Sequence, residues 1–163
     1  MMRTLRKRFG WVANIAKSKP ARKKLLVLDT DHFSEWERGS SAGLRLREKL
    51  REARLEMALT IITVEEGLRG WLAEIRRQLD PVRQVGFYSK LQRQVEVFAD
   101  WTVLPWETSS ADLFLRLRRE GIRIGTMDLK ITSVALTYDA TLLTQNTADF
   151  LQVEGLRVEN WLD

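Results

Sequence analysis

The sequence predicts an α/β fold: a central, mostly parallel sheet of four to five strands with helices on its faces. Two observations carry this. Short apolar runs alternate along the chain with longer amphipathic segments, the pattern of strands joined by helical crossovers. The first of these runs, Leu-Leu-Val-Leu at 25–28, is continuously apolar rather than alternating, as a strand covered on both sides must be. A chain of 163 residues suits one such domain and is short for two.

In chain order, residues 25–28 form the first strand and run directly into Asp29-Thr30-Asp31. A helix is expected over 41–53, where Leu44, Leu46 and Leu50 recur among Arg and Glu. A second strand is expected over 57–62, followed by helices over 64–79 and 87–99. Residues 102–104 form a third strand, stopped by Pro105. Helices follow over 111–120, ending at Gly121, and over 127–138. A fourth strand spans 141–144 and a fifth is expected at 157–159. In open sheets of this kind ligands bind beyond the carboxyl ends of the strands.

The formal charge of +5 is a poor guide to what the domain binds. Nine Lys and Arg and no acid fall within residues 1–24, which leaves eighteen basic against twenty-two acidic residues from Leu25 onward. Basicity belongs to the first 24 residues, a distinct N-terminal extension ahead of a domain spanning 25–163. Within it Leu5, Phe9, Val12 and Ile15 stand at helical spacing. A solvated tail, a nucleic-acid arm, a membrane-surface helix, a transit peptide and residues upstream of the natural start all fit that pattern. It lacks the apolar core and cleavage site of a secretory signal. No apolar run approaches the roughly 18–20 residues of a membrane span. There is no cysteine and one histidine, so thiolate and His-rich metal sites are excluded. Any metal would have oxygen ligands, which favours Mg²⁺ or Mn²⁺.

Four acids stand out by position. Asp29 follows a strand directly, although Asp is equally at home as a helix N-cap. Glu65 and Glu66 follow the second strand, with Thr63 as a candidate cap and Glu66 as its capping-box partner. Asp128 opens an apolar helix, where the helix dipole also favours acids. Asp149 follows the fourth strand, in a turn that Asn146 is placed to cap. Each has a plain structural reading. Together they suggest one carboxylate cluster, which is costly without a cation or a raised pKa.

At these residues the chain resembles the PIN-domain family, in particular the VapC-like toxin ribonucleases. The likeness runs from about Leu25 to Trp161. It rests on Leu28-Asp29-Thr30-Asp31-His32, on Ile62-Thr63-Val64-Glu65-Glu66 with Gly70, on Gly125-Thr126-Met127-Asp128-Leu129-Lys130-Ile131, and on Leu143-Thr144-Gln145-Asn146 with Asp149-Phe150. The resemblance implies a PIN-like three-layer α/β/α fold and selects Glu66 over Glu65. It further implies that Asp29, Glu66, Asp128 and Asp149 hold Mg²⁺, or Mn²⁺, and that Thr30 and Asn146 orient them. The implied chemistry is endonucleolytic hydrolysis of RNA by a metal-activated water. The implied setting is cytoplasmic, with a VapB-like antitoxin as partner and a homodimer as the assembly. Gly67, where Leu is typical, and Thr132, often Ala, depart from the pattern without removing a ligand.

Two other readings compete. Asp29-Thr30-Asp31 also fits the nucleophile motif of haloacid dehalogenase-like phosphatases, but the later acidic pair of that family is missing after Leu143. A non-catalytic PIN-like RNA-binding or regulatory module is the third. Asp31 is either a further acid near the metal or a cap. His32 is expected to pack or cap, and Trp36 to lie in a cleft-side loop. Arg69, Arg76, Arg77, Arg116, Arg118, Arg119 and Arg123 are expected mainly on solvated helix faces.

Overall fold

Leu25–Leu28 forms β1, the middle strand of the sheet, and is buried on both faces: Leu26 and Leu28 belong to one core and Val27 to the other. The structure is a computed structural model that describes residues 24–163. Residues 1–23, nearly all of the expected N-terminal extension, lie outside the described residues.

After β1 come α1 (Thr30–Arg38), α2 (Ser41–Ala53), β2 (Glu56–Thr60), α3 (Ile61–Arg77), α4 (Pro81–Ala99) and β3 (Thr102–Leu104). Then follow α5 (Thr108–Arg119), α6 (Thr126–Thr137), β4 (Thr141–Leu143), α7 (Thr147–Phe150) and β5 (Arg157–Glu159). The strand order is β3-β2-β1-β4-β5 and every pairing is parallel. Helices occupy every connection between strands, so each strand re-enters in the same direction. The chain builds outward from β1 to β2 and β3, then crosses to β4 and β5. Asp29 sits where the order reverses, the place at which an open parallel sheet leaves a crevice.

Register explains the two cores. Val27 pairs with Ala58 and with Leu142, and this in-register row meets Ile131, Val134 and Ala135 of α6. On the other face Leu26, Leu28, Leu59 and Leu143 meet Phe33 of α1, Leu46 and Leu50 of α2, and Phe98 of α4. Each such side chain contributes about 1.5–3 kcal/mol when fully buried. The result is the expected three-layer architecture, with a sheet that is wholly parallel.

Three local differences from the sequence reading have clear causes. The second strand ends at Thr60 rather than Ile62, because the Thr60 hydroxyl accepts from the Thr63 N–H at 3.1 Å and starts α3 at Ile61. Thr60 is therefore the cap, and Thr63 lies in the first turn. The helix α4 starts at Pro81, capped by Asp80, six residues earlier than the hydrophobic pattern indicated. Trp36 is not in a loop: it lies in α1 and packs edge-on against Trp101 at 4.8 Å, beside the stacked pair Phe33–Phe98 at 5.1 Å. A helix of nine residues with a broad aromatic face was hidden by its polar positions.

Two glycines permit close approach. At Gly43 an added Cβ would fall 1.9 Å from the Glu35 carbonyl oxygen, so α2 begins pressed against the backbone of α1. At Gly67 it would meet the Phe98 ring at 2.8 Å, which accounts for glycine where the resemblance led to an expectation of Leu.

Gly43→Ala should lower unfolding free energy by about 2–3 kcal/mol, because a main-chain clash can be relieved only by moving a helix. Thr132→Val should do the reverse: the fully buried Thr132 hydroxyl has no hydrogen-bond partner among the described residues. Its removal in an isosteric frame should stabilise by about 1 kcal/mol in urea unfolding.

Candidate metal centre

Asp29 is the first residue after β1, and its N–H still donates to Leu143 O at 2.9 Å, continuing the ladder. Only 7% of it is exposed. One carboxylate oxygen accepts from the Thr30 N–H at 2.7 Å, so Asp29 is indeed the N-cap of α1. The other accepts from the Thr144 hydroxyl at 2.8 Å. The capping and site readings are thus compatible, since one oxygen serves each.

Glu66 lies in the second turn of α3, clear of the cap, and accepts a hydrogen bond from the Thr30 hydroxyl. Its neighbour Glu65 pairs instead with Arg69 one turn on, facing solvent. The two glutamates are sorted by helix phase. Asp128 is in the first turn of α6, which follows α5 rather than a strand. Asp149, in α7, accepts from the Asn146 side-chain amide at 2.8 Å. Asn146 precedes α7 but makes no side-chain cap bond; its amide is turned to Asp149.

The charges reveal that these acids share one neighbourhood. Burial, then repulsion from Asp31 and from Asp128, pushes the Asp29 carboxyl up to about 7, despite the donors Thr144 and Thr30. Asp128 is also raised, by burial first and then by Glu66, Asp149 and Asp31. Asp31 goes the other way. Its burial is outweighed by hydrogen bonds from His32 and from the Gln145 N–H, which hold it below the usual carboxylate range. Among the described residues, no three acidic or histidine side chains stand close enough, as rotated here, to chelate an ion directly. The donor set nevertheless fits a hard divalent cation. It is all oxygen, its members repel one another, and Thr30 and Asn146 already restrain Glu66 and Asp149.

Thr144 was not singled out in the sequence. It is fully buried, donates to Asp29 and accepts from the Asn146 N–H at 3.1 Å. A threonine ending an apolar strand carries no signal of that role by itself. Among the arginines, Arg77 and Arg116 lie on exposed helix faces, paired with Glu74 at 2.8 Å and with Glu120 at 3.7 Å.

The raised Asp29 pKa fixes a sign. Below pH about 4 the carboxyl is protonated whether folded or unfolded. Between about 4 and about 7 only the folded state keeps the proton, so metal-free stability falls as pH rises. Asp29→Asn should remove that slope and be more stable than the parent above pH 7 by about 1–3 kcal/mol. Urea unfolding from pH 4 to 8 in EDTA measures it; parallel curves for the two proteins would contradict it.

No family model matches the chain. Two curated proteins of Rickettsia felis share sequence with it. Ribonuclease VapC2 is 40% identical over 50 residues, 31% of this chain and 37% of that protein. Ribonuclease VapC1 is 36% identical over 62 residues, 36% of this chain and 46% of that protein. The chain therefore spans less than half the length of the curated relatives it matches. Solved structures match almost end to end. VapBC-1 from nontypeable Haemophilus influenzae covers 85% of this chain and 99% of its own, with a TM-score of 0.66 and 20% identity. VapBC2 from Rickettsia felis, bound to a promoter DNA fragment, covers 84% and 98%, with a TM-score of 0.63 and 20% identity. VapBC-5 from Mycobacterium tuberculosis covers 83% and 96%, with a TM-score of 0.51 and 25% identity. The chain thus has the fold of these VapBC structures, and the two partial sequence matches, both to proteins named as VapC ribonucleases, agree with the resemblance to VapC-like PIN-domain proteins.

Proposed function

We propose that the chain is a divalent-metal-dependent endoribonuclease, the toxin component of a VapBC-type toxin–antitoxin pair. The observation that carries this reading is the meeting of Asp29, Asp128, Glu66 and Asp149 in one electrostatic neighbourhood at the crevice of a parallel sheet. The names of the curated relatives, ribonucleases both, support the RNA substrate.

In this reading Asp29, Glu66 and Asp128 hold Mg²⁺, or Mn²⁺, with Asp149 completing the set. A bound divalent ion there would supply positive charge for a phosphodiester and acidity for a nucleophilic water. The chain's own residues prepare that role. Thr144 and the Thr30 N–H hold Asp29 from opposite oxygens, so the carboxylate cannot swing into the core. Thr30 links Glu66 to the start of α1, so two ligands on different elements are set by one residue. Asp29 must shed a proton before it can bind a cation. Ion affinity should therefore rise as pH rises through about 7.

The structural neighbours include a toxin–antitoxin complex from Klebsiella pneumoniae and a member of the VapBC family of toxin–antitoxin systems, and a VapB-like antitoxin is the partner proposed here. A groove of about 560 Å³ beside Thr30, between α1, α3 and α4, offers a place for such a segment. Its lining includes Phe33, Gly67, Trp71 and Gln94. A homodimer and a cytoplasmic location belong to the same proposal. Among the described residues no helix is long and apolar enough to cross a membrane.

Purified protein should cut single-stranded or structured RNA with Mg²⁺ or Mn²⁺, and EDTA should stop it. Asp29→Ala and Asp128→Asn should each lower cleavage by at least about 100-fold, the size expected when charge stabilisation of several kcal/mol is lost. Cleavage in EDTA, or full activity in both variants, would overturn the mechanism. Turnover of small phosphomonoesters without RNA cleavage would favour the phosphatase reading.

A further inference from the structure

His32 is the only histidine in the chain, and it is completely buried next to the acid cluster. Its imidazole cannot reach a substrate, yet both ring nitrogens are engaged. Nδ1 meets Asp31 Oδ1 at 2.8 Å, and Nε2 accepts from the Trp161 N–H at 3.1 Å. A nitrogen that accepts a backbone N–H has no proton of its own, so the proton sits on Nδ1 and is donated to Asp31.

Asp31 is consumed by these contacts. Oδ1 takes the His32 ring and the His32 N–H, while Oδ2 takes the Gln145 N–H at 2.8 Å and faces the Thr144 hydroxyl at 3.4 Å. Two donors face each oxygen of Asp31, where each oxygen of Asp29 meets one, so Asp31 has the contacts of an anchor rather than of a further ligand. What it anchors is the 144–146 turn at the end of β4. Thr144 and Asn146, the residues that aim Asp29 and Asp149, belong to that turn.

We propose that His32 is a positioning residue of the metal centre: through Asp31 it fixes the 144–146 turn, and through Trp161 it ties the C-terminal segment to the same support. The metal-affinity part rests on the nuclease reading above; the clasp itself does not. The two arms separate by substitution. The side-chain amide of Asn lies near the place of Nδ1 and can still donate to Asp31. The amide oxygen of Gln lies near the place of Nε2 and can still accept from Trp161.

The test uses the full chain and its His32→Asn and His32→Gln variants, each checked for cooperative unfolding. In the metal-free parent, long-range ¹⁵N correlation of the single histidine should show a protonated Nδ1 and a bare Nε2. His32→Gln should speed hydrogen exchange at the Gln145 amide by about tenfold or more, while His32→Asn leaves it near the parent rate. Titration with Mn²⁺ should show His32→Gln weakened about 10- to 100-fold and His32→Asn within a few-fold of the parent. RNA cleavage by His32→Gln should lose kcat with KM little changed. The opposite tautomer, or equal Gln145 exchange in all three proteins, would overturn the clasp. Intact Mn²⁺ affinity in His32→Gln, with Gln145 exchange accelerated, would overturn its link to the metal centre. A parent that binds no Mn²⁺ would sink both the nuclease reading and that link, leaving the clasp to be judged by tautomer and exchange.

Discussion

Everything at the candidate site follows from β1 being buried on both faces and paired on both edges. A strand in that position has nowhere to place a charge until it ends, and the ladder holds it through Asp29, whose N–H still bonds to Leu143. The carboxylate thus emerges at the sheet's carboxyl edge while its backbone remains part of the core. Burial that secures the position also makes the charge expensive, which is why Asp29 titrates near neutrality rather than near 4. Position and energetic cost have the same origin.

The surrounding acids compound that cost, and the chain tolerates it by supplying donors in a graded way. Asp31 receives enough hydrogen bonds to stay ionised. Asp29 receives two and stays raised, and Asp128 is raised with it. A cluster with one satisfied carboxylate and others held under repulsion has an electrostatic deficit that a divalent cation can fill. Such a deficit fits a binding centre better than a structural salt-bridge network, where cations of the chain itself would be interleaved.

Helix phase does much of the sorting. Capped by Thr60 rather than Thr63 and beginning at Ile61, α3 presents Glu66 to Thr30 and leaves Glu65 to pair with Arg69. Gly67, one residue on, lets Phe98 close over the same helix. The aromatic group of Phe33, Trp36, Phe98 and Trp101 then fixes α1 against α4, so that Thr30 is carried by a rigid helix rather than by a loop.

The sequence by itself determined the α/β class, since continuous and amphipathic apolar patterns leave little choice about which segments are strands. It also placed Asp29 at a strand end and marked Glu66, Asp128 and Asp149 through motif order. It missed α1, because a nine-residue helix whose apolar face is aromatic and spaced among polar residues has no clear period. It misplaced the cap of α3, because Thr60 and Thr63 are both valid caps and only the end of the β2 ladder decides between them. The bonds made by Thr144 and by the His32–Asp31 clasp were not visible, although the residues themselves were. Their partners lie 113 to 129 residues away, and such pairings exist only once β1, β4 and the C-terminal segment are folded together. Local physics chose the elements; the convergence of distant hydrogen-bond donors on two neighbouring carboxylates was decided by the tertiary fold.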